Sequence, residues 1–134
     1  MAAVKSAPEG FHSITPYVVA QGAAKLIDFV KQAFGAEEVF RMARPDGTIG
    51  HAEMRIGDSM VELGDGTDAA KSMPVSLHLY LSDADAVYRR ALEAGATSLH
   101  EPVDQEYGGP RGWRERSVRQ PLVYRNAQGC ALYS

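Results

Sequence analysis

The chain has 134 residues, of which 45% are hydrophobic and 23% charged, and its formal net charge is −3 at pH 7. These values are typical of one soluble globular domain, and so small a negative charge gives no electrostatic case for binding nucleic acid or a membrane surface. No apolar run is long enough to span a bilayer and the first residues lack the apolar core of a signal peptide, so we expect a cytoplasmic protein.

The first half of the chain predicts a strand, a helix and three further strands. Gly35 predicts the end of the helix, because glycine readily adopts the left-handed conformation of a helix C-cap. The turn sequences Pro45-Asp46-Gly47 and Gly57-Asp58 separate the later strands. Apolar residues at helical spacing predict one buried stripe, made of Ala23, Leu26, Ile27, Val30 and Phe34. The predicted strands are residues 13–19, 38–43, 51–56 and 59–63.

The second half repeats this order after a polar segment, residues 64–74, whose Gly, Asp, Ser and Lys content predicts a linker. A strand is predicted over residues 75–81, and Gly95 ends a second helix. Ser82 with Asp85 three residues later predicts a capping box at the start of that helix. The second apolar stripe consists of Ala84, Val87, Tyr88, Ala91 and Leu92.

The two halves are thus copies of one unit of roughly sixty residues, which is too long for a solenoid repeat. We predict an α+β fold in which two βαβββ modules enclose a shared cavity. Such a cavity is typical of a protein that holds a small molecule. The predicted boundaries within this single domain are residues 11–64 for the first module, 65–74 for the linker, 75–126 for the second module and 127–134 for a tail.

Three segments of the first half are similar to a known family: Thr15-Pro16-Tyr17, Lys31-Gln32-Ala33-Phe34-Gly35-Ala36 and His51-Ala52-Glu53-Met54-Arg55-Ile56-Gly57-Asp58. They resemble the PhnB-like branch of the glyoxalase/bleomycin-resistance/dioxygenase superfamily, the vicinal-oxygen-chelate proteins. The resemblance covers about residues 10–108 and is specific for the branch rather than for a substrate. It implies paired βαβββ modules that form an open, cupped sheet or barrel around the cavity. Such proteins are commonly homodimers, and we expect a homodimer here.

Enzymes of that superfamily hold a divalent metal with His and Glu side chains from both modules. By resemblance, the two first-strand ligand positions fall on Thr15 and Ser76, whose hydroxyls are poor ligands for such a metal. The first-module carboxylate falls on Glu62, and the fourth position lies in a final strand that does not match the family. The single Cys130 excludes a zinc site built from cysteines. The sequence therefore predicts no metal and no cofactor.

Other residues leave a rebuilt metal site open as an alternative. His51 and Glu53 are two residues apart on one strand and share a face, so His51, Glu62 and His78 would converge if their faces line the cavity. In the plainer interpretation, His51 is a hydrogen-bonding pocket residue and Glu62 a solvated or cation-paired carboxylate. The candidate ligand-binding residues are Tyr17, His51, Met54, Glu62, His78 and Tyr80. His51 is also the catalytic candidate, because imidazole exchanges protons near neutral pH.

The chain departs from the family after Gly108. Related sequences continue with a motif such as D-R-x-x-x-V-x-D-P-F-G-N-x-W-x-I-x-T, which is absent here. Residues 110–129 nevertheless admit codons that, read two bases earlier, encode D-R-E-G-G-V-K-D-P-F-G-N-R-W-Y-I-A-T-H-K. We therefore hypothesise a frameshift near Gly109. The arginine-rich run that it produces is then no selected nucleic-acid patch. The largely apolar residues 122–125 are predicted to form the final strand, and residues 126–134 a tail or an extra strand.

Two classes of function remain open. In the first, the protein binds a small molecule with an apolar or aromatic body and has no complete metal site. In the second, it is a metal-dependent lyase, isomerase or dioxygenase with a rebuilt site. A frameshifted product that folds without activity is a third possibility. The expected partners are a small-molecule ligand and a second copy of the chain, with no nucleic acid and no membrane.

Overall fold

The computed structural model describes residues 6–80, 82–107, 116–125 and 130–133 of the chain. The chain divides between Met73 and Pro74 into two compact units. Among the described residues, no helix is long and apolar enough to cross a membrane.

The first unit has the predicted βαβββ order. Its elements are β1 (Tyr17–Ala20), α1 (Ala23–Phe34), β2 (Glu37–Ala43), β3 (Ile49–Ile56) and β4 (Ser59–Asp65). The four strands form one mixed sheet in the order β1-β4-β3-β2, in which β1 and β4 are parallel and the other pairs antiparallel. The first strand begins at Tyr17, later than the sequence predicted. The carbonyl of Pro16 still accepts a hydrogen bond from the Glu62 N–H of β4 at 2.9 Å, but proline has no N–H with which to extend the strand pairing.

Helix α1 packs on one face of this sheet and supplies much of the core. All five residues of the predicted apolar stripe are buried, as are Phe29 and Ala33. Gly35 ends the helix at φ 65°, and its N–H bonds the carbonyl of Lys31. The amphipathic pattern and the glycine stop were both confirmed, because each depends only on residues within one helix.

Alternate side chains of strand β3 point into the core and to the opposite face of the sheet. Ala52 and Met54 are fully buried, whereas His51 and Glu53 are only partly buried. Successive side chains of a strand point to opposite faces, so the two pairs belong to different sides. The side of His51 and Glu53 is the one turned away from α1.

The second unit has the same topology. Its elements are β5 (Val75–His78), α2 (Ala84–Glu93), β6 (Thr97–Tyr107), β7 (Arg116–Arg125) and β8 (Cys130–Tyr133). The strand order is β5-β8-β7-β6, with β5 and β8 parallel and the remaining pairs antiparallel. The predicted α+β class and the duplicated βαβββ unit are both confirmed.

Three details of the second unit differ from the sequence predictions. Helix α2 is capped by Asp83, whose Oδ1 accepts a hydrogen bond from the Ala86 N–H at 3.0 Å, and not by a box of Ser82 and Asp85. Only Val87 and Ala91 of the predicted stripe are buried. The last strand is β8, in the segment predicted as a tail or an extra strand, whereas residues 122–125, predicted as the final strand, belong to β7. Parallel pairing with β5 places β8 at the position that β4 has in the first unit.

Candidate functional site

The face of the first sheet turned away from α1 carries polar and aromatic side chains. We call it the His51 face and define it by Tyr17, Phe40, His51, Glu53 and Glu62. Strand pairing aligns four of them across the sheet, because Tyr17 lies opposite Glu62, Glu62 opposite Glu53, and Glu53 opposite Phe40. His51 lies two residues before Glu53 on β3 and completes the group.

His51 lies between the two carboxylates. Its Nε2 is 3.4 Å from Oε1 of Glu53 and 3.8 Å from Oε1 of Glu62. One ligand atom from each of the three residues lies within 4.8 Å of the others. The three side chains are 24–27% exposed, so solvent or a ligand reaches each of them. The cluster combines one proton-exchanging imidazole with two acceptors.

Two aromatic rings flank the imidazole. The ring centroids of Tyr17 and His51 are 5.8 Å apart and tilted by 31°, and those of Phe40 and His51 are 6.1 Å apart and tilted by 51°. Tyr17 and Phe40 are 46% and 47% exposed. Large apolar groups half-open to solvent are the usual contact surface for the body of an organic ligand.

Gly64 leaves the space in which the Tyr17 ring lies. The Tyr17 hydroxyl donates a hydrogen bond to the carbonyl of Gly50 at 3.3 Å. A Cβ added at Gly64 would be 2.9 Å from that same carbonyl oxygen and 2.9 Å from the Tyr17 hydroxyl. Since real Cβ atoms do not approach so closely, glycine at this position lets the tyrosine ring lie beside His51.

The charges of the face are unbalanced. Glu53 and Glu62 are directly opposite each other on antiparallel strands, an arrangement in which like charges destabilise the sheet. Within the described part of the chain, no Lys or Arg forms an ion pair with either carboxylate. The face therefore favours an arriving positive charge or a group that donates hydrogen bonds.

The candidates from the sequence divide into three groups in the structure. Tyr17, His51 and Glu62 lie together on the His51 face. Met54 does not join them, because it is fully buried on the core side of β3. The expectation that Met54 lines a pocket with His51 was therefore wrong, and the spacing of three residues along a strand explains why.

His78 and Tyr80 form a separate pair in the second unit. Their rings are stacked, with centroids 4.5 Å apart and an interplanar angle of 14°. Tyr80 is 71% exposed. His78 is the last residue of β5 and Tyr80 lies two residues beyond it, so the stacked rings come from one short segment of the chain.

Sequence reasoning did not select two members of the face, Glu53 and Phe40. Glu53 was predicted to share a strand face with His51 but was left out of the candidate set. Phe40 carried no usable signal, because a register shift between Glu38 and Phe40 in the β2–β3 pairing decides which residue lies opposite Glu53.

The four metal-ligand positions of the vicinal-oxygen-chelate pattern do not fit a metal in this chain. Thr15 and Ser76 offer only hydroxyls at the two first-strand positions. Glu62 supplies a carboxylate opposite Tyr17. In the second unit, the strand pair that corresponds to Tyr17 and Glu62 is His78 and Tyr133. The position equivalent to Glu62, where the family has its fourth metal ligand, is therefore a tyrosine.

A polar groove beside the start of α1 lies apart from the His51 face. Lys25, Lys71 and Asp65 are among the residues that line it. Two backbone N–H groups at the helix start are already bonded, because Oδ1 of Asp65 accepts hydrogen bonds from Gly22 and Ala23, each at 2.9 Å. This groove is explained by helix capping.

Comparison with known proteins agrees with this fold. The model of the Glyoxalase/Bleomycin resistance protein/Dioxygenase superfamily matches residues 10–113. The chain, built from two βαβββ units, belongs to that superfamily.

Among curated proteins, the chain is similar to uncharacterized proteins of two mycobacteria. It is 39% identical over 111 residues to one from Mycobacterium bovis, covering 75% of this chain and 73% of that protein. It is also 39% identical over 111 residues to one from Mycobacterium tuberculosis, covering 75% of this chain and 65% of that protein.

Solved structures share the fold at low sequence identity. TioX from Micromonospora sp. ML1 is similar with a TM-score of 0.69 and 20% identity, over 91% of this chain and 95% of that one. The fosfomycin resistance protein FosX from Mesorhizobium loti is similar with a TM-score of 0.60 and 16% identity, over 91% and 90% of the two chains.

Proposed function

We propose that this protein binds a small molecule with an apolar or aromatic body on the His51 face. The observation that carries the proposal is a partly exposed imidazole between two half-exposed aromatic rings, on the side of the sheet away from α1. The rings of Tyr17 and Phe40 supply apolar contact area. His51 supplies a group that donates or accepts a hydrogen bond near neutral pH.

The proposal is tested with a neutral fluorescent probe, N-phenyl-1-naphthylamine, whose emission rises in apolar surroundings. Replacing His51 by alanine should weaken probe binding at least about tenfold, equivalent to about 1.4 kcal/mol, because the imidazole forms the centre of the face. His12→Ala is the matched control, since His12 is exposed and lies outside the face. Equal probe affinity in wild-type and His51→Ala proteins would remove His51 from the site.

A second candidate function is a metal-dependent lyase, isomerase or dioxygenase reaction. The three donor atoms of His51, Glu53 and Glu62 favour it, because such enzymes need protein ligands around an open coordination position. Its test is turnover of a substrate that chelation abolishes and added metal restores. Substrate turnover that is unchanged by a chelator would exclude this reaction class.

We also propose that the chain belongs to the PhnB-like branch and acts as a cytoplasmic homodimer. Sequence similarity in residues 15–17, 31–36 and 51–58 supports the branch. Sheet edges such as β2, which pairs on one side only among the described residues, support a dimer, because edge strands are commonly covered by association. Light scattering at micromolar concentration would give a monomer mass if the dimer proposal is wrong.

The frameshift near Gly109 is a further part of this proposal. It is supported by residues 110–129, since codons can be chosen for them that together spell the family motif in the other reading frame. Sequencing the gene over residues 110–129 tests it, and codons that cannot encode the motif in the shifted frame would refute it.

A further inference from the structure

We infer that His51, Glu53 and Glu62 form a divalent-cation site contained within the first unit. The inference rests on the proposed function, in which a small molecule binds on the His51 face. The cation would lie at the centre of that face, next to the bound molecule. Two of these residues, His51 and Glu53, are outside the ligand positions implied by the vicinal-oxygen-chelate pattern. The site would therefore replace the lost first-strand ligands with residues from β3.

The distances between the donor atoms suit a single ion. A four-coordinate divalent metal bound at about 2.1 Å to nitrogen and oxygen holds its ligand atoms about 3.4 Å apart. The observed separations from His51 Nε2 are 3.4 Å to Glu53 and 3.8 Å to Glu62. Small rotations of two glutamate side chains are enough to close the site around an ion.

The charge arrangement gives an independent reason for a cation. Glu53 and Glu62 are adjacent like charges on neighbouring strands, and the described residues offer them only His51 as a polar partner. A bound divalent ion would turn the repulsion between the carboxylates into attraction to a shared charge. The same pair without an ion lowers the stability of the β3–β4 pairing.

The ligand set also indicates which ions bind best. An imidazole nitrogen favours transition metals such as Mn²⁺, Fe²⁺, Ni²⁺ and Zn²⁺ over Mg²⁺ and Ca²⁺, which prefer sites made only of oxygen. Three protein ligands leave at least one coordination position open. Because the three side chains are partly exposed, that position is accessible to an oxygen of a small molecule lying between Tyr17 and Phe40.

The test is a titration of the full-length, chelator-treated protein with Mn²⁺, following the free ion by electron paramagnetic resonance. We expect one Mn²⁺ per chain with a Kd below about 1 mM, and at least tenfold weaker binding by Glu53→Gln and Glu62→Gln. Glu37→Gln is the matched control, because Glu37 is an exposed glutamate of the same sheet that lies outside the cluster. It should bind Mn²⁺ as the wild type does.

Two results would overturn the inference: no Mn²⁺ binding by the wild-type protein, or equal binding by the wild type and both Glu variants. Circular dichroism of each variant confirms that it is folded, and His51→Ala provides a third variant if a glutamine protein is not. N-phenyl-1-naphthylamine binding is measured on the same metal-free samples. A wild-type protein that binds the probe but no Mn²⁺ would refute the cation site alone, whereas a wild-type protein that does not bind the probe would refute the proposed function.

Discussion

The two units share one topology but anchor their helices differently. In the first unit, α1 begins at Gly22, which has a left-handed backbone, and its first N–H groups are bonded by Asp65 from the far end of β4. In the second unit, α2 is capped by its own neighbour Asp83. Seven side chains of α1 are buried, and two of α2. The first unit is therefore tied together by long-range contacts, whereas the cap of α2 is local.

The same contrast extends to chemistry. The first unit brings Tyr17, His51, Glu53 and Glu62 from three strands to one face. In the second unit the described ring pair, His78 and Tyr80, comes from positions two apart in one segment. A duplicated fold thus leaves each copy free to carry different side chains at corresponding positions, because main-chain pairing tolerates many residue types.

The largest predicted loss of stability, and the strongest test of this difference between the units, comes from replacing the two capping aspartates. Asp65 accepts hydrogen bonds from Gly22 and Ala23, and its other oxygen accepts one from the buried Ile49 N–H at 2.7 Å. Asp65→Ala should lower the free energy of unfolding by about 2–4 kcal/mol, since it removes a cap and leaves a buried donor unsatisfied. Asp83→Ala should cost about 1 kcal/mol, because one local bond is lost.

Urea unfolding followed by circular dichroism measures both losses. Asp65→Asn is the control, because it keeps an acceptor oxygen and should lie between the wild type and Asp65→Ala. Equal losses for Asp65→Ala and Asp83→Ala would show that the long-range anchoring of α1 has no energetic consequence.

A second, smaller effect is expected at Gly64. Alanine there would place a Cβ 2.9 Å from the Gly50 carbonyl oxygen, which is backbone and cannot move alone. Gly64→Ala should therefore cost about 1–3 kcal/mol of unfolding free energy, the usual range for overpacking. It should also weaken N-phenyl-1-naphthylamine binding, because the Tyr17 ring must leave His51.

Tyr17→Phe distinguishes the loss of the tyrosine hydroxyl contact from the displacement of its ring, both of which Gly64→Ala would cause. It removes the hydroxyl that contacts Gly50 but keeps the ring, so probe binding should change little. If Gly64→Ala binds the probe as tightly as the wild type does, the position of the Tyr17 ring is irrelevant to the site.

Whether a feature of the fold or the site could be predicted from the sequence depends on how far apart in the chain the contacting residues lie. The stripe of α1 and the stop at Gly35 were predicted correctly from local spacing. The pairing of Glu53 with Glu62 was also derivable, because the two-residue turn Gly57-Asp58 sets Ile56 opposite Ser59 and so every pair behind it. Selecting Met54 with His51 ignored the same alternation of faces.

Other features depended on contacts that the sequence pattern does not show. The position of Phe40 opposite Glu53 follows from a register shift in β2. Strand β8 follows from parallel pairing with β5, about fifty residues earlier in the chain, so the sequence alone did not decide between a tail and an extra strand for residues 130–133. The Asp65 cap of α1 likewise joins residues 42 and 43 positions apart. Long-range pairing, rather than local propensity, decided each of these outcomes.

The smallest predicted effect concerns an ion-pair network that ties α1 to β2 in the first unit. Hydrogen bonds from Arg41 and then Lys31 lower the pKa of Glu38 below its ordinary value of 4.5. A lowered folded-state pKa stabilises the fold above pH 4.5, and this contribution is lost as the pH falls through the folded-state pKa. Glu38→Gln should therefore cost about 0.2–1 kcal/mol at neutral pH and almost nothing in acid.

Urea unfolding at a series of pH values measures this difference. Glu37→Gln is the matched control on the same strand, since the Glu37–Arg55 pair has side chains 69% and 44% exposed and should contribute less at every pH. A Glu38→Gln loss that stays constant from neutral to acid pH would contradict the assignment to the ionised carboxylate. In that case the link between α1 and β2 would come from packing of the Lys31 and Arg41 side chains, which a glutamine at position 38 leaves in place.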